Sequence, residues 1–180
     1  MRSGHLSRIV VAVAGAAAVG LIVVLGVAMA RDIGDDSVGR ASTELDQGAD
    51  FDLLGLDGSR FVISEHAGGP VFVYFWASWC PPCEEEAPLI QALWPEFQAR
   101  GFTFVGVNIW DSQDSARAFV ARHGITFPMV IDDGTTYLDY GVYGLPEAFF
   151  LRPGLQVDQK FIGALSEVPF RERLEAIAES

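Results

Sequence analysis

Cysteine is scarce in this sequence: Cys80 and Cys83 are the only two among 180 residues. Histidine is nearly as rare, at three, and the 12 Lys and Arg are outnumbered by 24 Asp and Glu. Each shortage excludes something. A net charge of −12 repels phosphate backbones and anionic headgroups, which sets nucleic-acid binding aside. A closed zinc site takes four ligands. Beyond the cysteines, only His66 and His123 lie past the N-terminal segment, and their spacing is not that of metal ligands, so no metal is expected. Haem attachment needs histidine directly after the second cysteine, and Glu84 stands there. There is no internal repeat, and no low-complexity tract beyond an Ala/Val/Gly-rich run near the start.

That run, Ile9 to Ala30, lacks charge altogether. As a helix it is long enough to cross a hydrocarbon core of roughly 30 Å. Arg2 and Arg8 precede it, and Asp32, Asp35 and Asp36 follow it. The positive flank keeps residues 1–8 in the cytoplasm and sends the rest of the chain outward. Ala28-Met29-Ala30 also reads as a small-x-small cleavage site. The segment is therefore a retained single-pass signal-anchor in a cell membrane or a cleaved signal peptide of a secreted protein. Its length, greater than a usual signal core, favours the anchor. Either way, the chain works where disulfide chemistry is permitted. Residues 31–47 are polar and include Gly34 and Gly39, which reads as a flexible linker. Residues 48–180 remain as one domain.

Within that domain, Phe51 to Ser64 reads as two short strands around an Asp57-Gly58 turn. Val71 to Trp76 is an unbroken β-branched and aromatic run, as expected of a strand buried on both faces. Ala87, Ile90, Leu93, Trp94 and Phe97 recur at helical spacing between about Pro82 and Arg100. Phe102–Ile109 reads as a second buried strand. Ser112–His123 reads as an amphipathic helix ended by Gly124. Phe127–Ile131, Glu147–Leu151 and Gln156–Ile162 are further strands, and Phe170, Leu174, Ile177 and Ala178 give a closing helix its apolar face. Alternating elements followed by a strand pair and a helix predict an α/β sandwich with a mixed sheet flanked by helices.

The chemistry lies in Trp79-Cys80-Pro81-Pro82-Cys83, directly after a buried strand and at a helix start. Two intervening residues let the sulfurs meet across one helical turn. The helix N-terminus supplies unpaired N–H groups and partial positive charge, which favour a thiolate. Proline is tolerated in a first turn, where its missing N–H costs nothing. Cys80, expected to be the more exposed, is assigned as the attacking nucleophile, and Cys83 as the resolving thiol. A structural disulfide is the bland alternative, but so tight a loop closes little chain entropy. Glu84, Glu85 and Glu86 follow at once. They suit the helix dipole as surface charge while opposing thiolate formation, and the sequence leaves that competition open.

The block Phe75-Trp76-Ala77-Ser78-Trp79-Cys80-Pro81-Pro82-Cys83, with Glu86 and Pro88 soon after, resembles the active site of the TlpA/ResA/DsbE(CcmG)-like membrane-anchored thioredoxins. The resemblance runs from about Phe51 to Ile177. It implies a thioredoxin-like sandwich with an added N-terminal β-hairpin, behind one transmembrane helix. Tyr140-Gly141-Val142-Tyr143-Gly144-Leu145-Pro146-Glu147 is similar to the loop that carries the family's cis-proline, and Pro146 is the matching position. By resemblance, Leu145 offers its backbone to an extended client beside Cys80. Trp79, Pro81 and Pro82 shape the site and a partner surface. Glu147 is either an active-site acid or an ordinary strand-start residue. Ala148 departs from the threonine common there. Pro88 would offset the helix after its first turn.

The resemblance implies a thiol–disulfide oxidoreductase whose cysteine pair carries the electrons without a bound cofactor. Its expected role is a reductase of client disulfides in cytochrome c maturation. A membrane thiol-electron transporter of the DsbD/CcdA kind would reduce it, and apocytochrome c is an expected client. The same dithiol serves a disulfide-forming oxidase, since direction follows reduction potential. A thiol peroxidase is disfavoured: peroxiredoxins place threonine three residues before the reactive cysteine, and Ala77 is there. A non-catalytic thioredoxin-fold binding module would survive loss of both cysteines. A monomer is expected.

Overall fold

A strand buried on both faces must have neighbours on both sides and layers above and below, and the computed structural model provides both for Val71–Trp76. It describes Gly20, residues 40–41 and residues 45–178. Its strands are β1 (Arg40–Ala41), β2 (Asp52–Gly55), β3 (Arg60–Val62), β4 (Val71–Trp76), β5 (Thr103–Asn108), β6 (Met129–Ile131), β7 (Glu147–Arg152) and β8 (Gln156–Ile162). Its helices are α1 (Pro81–Gln98), α2 (Gln113–His123), the one-turn α3 (Thr136–Asp139) and α4 (Glu167–Ala178). The expected membrane span Ile9–Ala30 lies, apart from Gly20, outside the described residues. Among the described residues no helix is long and apolar enough to cross a membrane.

The strands form one sheet in the order β1-β8-β7-β4-β5-β6-β2-β3. β4, β5 and β6 run parallel, and the remaining pairs are antiparallel. Period-two alternation sends Phe72, Tyr74 and Trp76 to one core layer and Val71, Val73 and Phe75 to the other. The first layer takes Ile90, Leu93, Trp94 and Phe97 of α1, Phe119 of α2, and Phe170 and Leu174 of α4. The second takes Phe51, Phe61 and Ile63 from the hairpin and Tyr140 and Val142 beyond α3. Gly106 is required where the first layer is tightest. A Cβ there would lie 2.4 Å from Met129 Sδ and 3.1 Å from the Trp76 indole nitrogen.

The local signals read in the sequence have their expected partners. The β2–β3 hairpin turns through Gly58 at φ 86. Ser112 caps α2 by accepting from Ser115 N at 3.1 Å, and Gly124 ends it in the left-handed region at φ 59. Pro88 and Pro95 both lie inside one continuous α1. The expected linker 31–47 is different. Arg40 and Ala41 pair with Phe161 and Lys160, and Gln47 bridges Gln156. Val157 N donates to Asp46 O at 3.0 Å. β8 would otherwise present an open edge with unpaired backbone groups, and polar linker sequence satisfies them as well as any other.

Phe72 sits where three elements converge, with ring centroids 5.0 Å from Phe104, 5.2 Å from Phe150 and 4.9 Å from Phe170. Phe72→Ala should therefore destabilise the fold by about 3–5 kcal/mol, read as a lowered urea midpoint. A loss under about 1 kcal/mol would mean that this layer can collapse around the void.

Candidate active site

β4 ends at Trp76, and the chain passes through Ala77-Ser78-Trp79 into Cys80, which is the N-cap of α1 with extended backbone. Cys80 and Cys83 form a disulfide, with Cα atoms 5.2 Å apart. Pro81 and Pro82 occupy the first helical positions, where no N–H is needed. The first free helical amide that can reach a cap is then Cys83 N–H, and it points at Cys80 Sγ from 3.3 Å. A helix-start amide aimed at a sulfur stabilises negative charge there.

Cys80 is the more exposed of the two cysteines, as expected, but both are buried. It is only 2% exposed, against 0% for Cys83. Both belong to the core layer that also holds Ala77 and Ala87, because the disulfide turns Cys80 Sγ toward the helix. What distinguishes the two sulfurs is the amide on Cys80. The exposed group is Trp79, at 57%. Its Nε1 donates to Trp110 O at 2.9 Å, and Trp110 is itself exposed, with a left-handed φ of 54. These two indoles flank an open cleft of about 660 Å³ that Asp111, Asp132 and Tyr137 also line.

Asp111 is a site residue that no motif or spacing singled out. It accepts from Ser78 N at 2.6 Å, Ser78 Oγ at 2.9 Å, Asn108 Nδ2 at 3.1 Å and Ser112 N at 2.8 Å. It thereby ties the loop before Cys80 to the loop after β5. Burial pushes its carboxyl up, but the hydrogen bonds from Ser78, Asn108 and Ser112 hold it below the ordinary range. An aspartate one residue before a helix N-cap is too common to single out; only the β4–β5 pairing brings Ser78 within its reach.

The acidic run is not uniform surface charge. Glu84 meets Arg122 at 2.7 Å and His123 at 3.0 Å, and the Arg122 hydrogen bond holds it low. Glu85 is exposed. Glu86 is buried and accepts from Leu165 N at 2.5 Å. Burial pushes its pKa up to about 7, against the downward pull of the Leu165 amide and the Tyr74 hydroxyl. Tyr74 is in turn held well above the usual phenol value by burial and then by the Glu86 charge. One acid is thus paired and another shares its ionisation range with neutral pH, so the run opposes a thiolate less than three free carboxylates would.

The second expected block lies alongside. Leu145–Pro146 is a cis peptide, at the position expected from the resemblance. β7 pairs with β4 in the register Glu147↔Phe75, which carries Pro146 and Leu145 past Trp76 toward the turn that holds Cys80. Leu145 packs against the core layer containing both cysteines. Glu147 is 3% exposed, and its Oε1 accepts from Tyr143 N at 3.1 Å and Gly144 N at 3.0 Å. It is a buried acid at the start of β7 that anchors the loop before it. Among the described residues, no group of three or more His, Cys, Asp or Glu is placed to hold a metal ion.

Comparison with known proteins gives a consistent picture. The AhpC/TSA family model matches residues 45–160. The thiol-disulfide oxidoreductase ResA of Geobacillus thermodenitrificans is 34% identical over 129 residues, covering 71% of this chain and 74% of that protein. A Chlorobium tepidum protein assigned as thiol:disulfide interchange protein DsbE superposes with a TM-score of 0.71 at 28% identity, over 77% of this chain and 99% of that one. A secreted Mycobacterium tuberculosis disulfide oxidoreductase homologous to E. coli DsbE gives 0.64 at 27%, over 70% and 95%. The thioredoxin-like α/β fold with a mixed sheet, expected from the sequence, is the fold observed.

Glu86 makes stability depend on pH in a defined direction. Its folded pKa of about 7 lies above that of an unfolded glutamate, so between about pH 4.5 and 7 the native state holds the extra proton. Stability from this group is complete below that window and declines as pH rises through it. Glu86→Gln should therefore gain on the wild type between pH 5 and pH 8, by up to about 3 kcal/mol, in urea melts at both values. A difference that does not change with pH would show that Glu86 ionises like an exposed acid.

Proposed function

The chain belongs to the AhpC/TSA family and is a thiol–disulfide oxidoreductase of the ResA/DsbE type, and on that premise we propose that it is an extracytoplasmic, membrane-anchored reductase of client disulfides. The observation that carries this reading is the Cys80–Cys83 disulfide at the mouth of α1, with Cys83 N–H directed at Cys80 Sγ. In the reduced form, Cys80 thiolate attacks one sulfur of a client disulfide. A Cys80–client mixed disulfide forms, and the other client sulfur leaves as a thiolate that takes up a proton. Cys83, deprotonated, then attacks Cys80 Sγ and expels the second client thiol. Two electrons pass from the dithiol to the client, and the protein is left oxidised. A membrane thiol-electron transporter of the DsbD/CcdA kind would return it to the dithiol by the reverse exchange.

Trp79 and Leu145, on either side of the pair, are the surfaces we assign to the client. The Gly144-Leu145-Pro146-Glu147 block supports cytochrome c maturation and apocytochrome c as a client, by its likeness to the family's loop. The uncharged run Ile9–Ala30, with arginines before it and aspartates after it, supports an anchor with residues 1–8 in the cytoplasm and the sheet domain outside. A peroxidase reading finds no support at Ala77, which has no hydroxyl to polarise a peroxide. The oxidase reading draws on one observation, the same Cys83 amide, since stabilising the reduced thiolate raises the potential.

Three measurements test these assignments. Cys80→Ser should lower client reduction by about a thousandfold or more, whereas Cys83→Ser should accumulate a mixed disulfide visible by mass spectrometry. Survival of reduction in Cys80→Ser would remove this site from the mechanism. The reduction potential of the full chain, equilibrated in dithiothreitol buffers, should lie between about −270 and −200 mV, the thioredoxin-to-glutaredoxin range; about −120 mV would make it an oxidase.

A further inference from the structure

The sequence contains a single lysine, Lys160, and it is not on the surface. It lies in β8 and is 9% exposed, although lysine is among the residues least often buried. Its Nζ is 2.6 Å from Gly141 O, 2.6 Å from Glu147 Oε2 and 5.2 Å from the centre of the Phe149 ring. The other oxygen of Glu147 already accepts from Tyr143 N and Gly144 N. One buried ion pair therefore ties down the backbone at Gly141, Tyr143 and Gly144, the stretch that leads directly into Leu145–Pro146. Gly141 is in the left-handed region at φ 60, so its carbonyl is turned away from the direction of a regular strand and needs a donor. Lys160 supplies it.

A buried ion pair is a poor way to gain stability. Stripping water from both charges costs about as much as their attraction returns, and apolar replacements are often neutral or better. What such a pair does well is fix geometry, because leaving either charge unpaired is costly. Here the geometry it fixes is that of the loop beside the cysteine pair. The Glu147↔Phe75 register sets Leu145 alongside the Cys80 turn, and the Leu145 backbone is the edge an extended peptide can pair with.

We propose that Lys160 is a positioning residue: acting through Glu147 and Gly141, it holds the 141–145 backbone in the arrangement that binds an extended client peptide against Cys80. This deepens the reductase reading and rests on it. Lys160 touches neither sulfur, so its contribution is to client affinity and to the preference for peptide over small disulfides, and not to the potential of the pair.

The test uses the full chain in detergent micelles, reduced beforehand and freed of reductant. It is mixed with an extended peptide holding one internal disulfide, or with hydroxyethyl disulfide, and its oxidation is followed by tryptophan fluorescence. Lys160→Met should raise the half-saturating peptide concentration about tenfold, the scale of one charge-assisted hydrogen bond, with the limiting rate within about twofold. The preference for peptide over hydroxyethyl disulfide should fall by about the same factor, and the reduction potential should stay at the wild-type value. Lys160→Arg, which keeps the charge and the donors, should recover most of the peptide affinity. The double variant Lys160→Met/Glu147→Gln leaves no unpaired buried charge. It should show the same weakened peptide binding, and it carries the test if Lys160→Met alone does not fold. Wild-type half-saturation in the double variant, or an equal loss for both disulfides, overturns the proposal. A wild-type chain that oxidises with neither disulfide overturns the reductase reading and this one with it. An intact wild-type exchange with no peptide-specific loss overturns this one alone.

Discussion

Everything in this structure follows from the burial of β4 on both faces. A strand so apolar can exist only in the middle of a sheet with a layer on each side. Its parallel partner β5 and antiparallel partner β7 then have fixed registers, because a one-residue slip would exchange the two core layers. Those registers bring three loops to the C-terminal end of β4. One carries Cys80 into the helix, one carries Asp111, and one arrives at Pro146 from the opposite direction. The site is assembled by strand pairing, and none of its loops is held by its own contacts alone.

Electrostatics within that frame are local. The chain carries a net charge of −12, yet the groups nearest the cysteines are individually managed. Glu84 is matched by Arg122 and His123 from α2. Glu86 is withdrawn into the core beside Tyr74, where ionisation is disfavoured. Asp111 keeps its charge because three residues donate to it. Glu147 is paired with the one lysine. These four acids are each engaged by the fold, and the dipole in direct contact with Cys80 is the amide of Cys83.

That arrangement divides two tasks. In the function proposed here, the helix that Cys80 caps tunes the sulfurs and the loop opposite receives the client. The two are joined through the pairing of β4 with β7, and the proposed role of Lys160 is to act on affinity alone. Trp79 stands at the boundary: its indole is fixed to Trp110 O, while most of its surface faces solvent.

The sequence by itself determined most of the elements and singled out the two cysteines that the structure joins. Val71–Trp76 could only be a central strand, Ser112 and Gly124 marked the two ends of α2, and two cysteines at a helix mouth left one chemistry ahead of the rest. These are local signals, written in periodicity, caps and spacing. What the sequence could not show depended on distant partners. Glu86 read as one of three surface acids, and only the docking of Leu165 and Tyr74 over α1 buried it. Cys80 read as the more exposed cysteine, and only the packing of its turn against the core set how small that exposure is. Residues 31–47 read as linker, and the open edge of β8 drew Arg40, Ala41 and Gln47 into pairing. Lys160 and Glu147 are thirteen positions apart on antiparallel strands, and only the sheet's register makes them a pair. Burial and charge pairing are properties of what lies across the fold, so tertiary structure alone decided them.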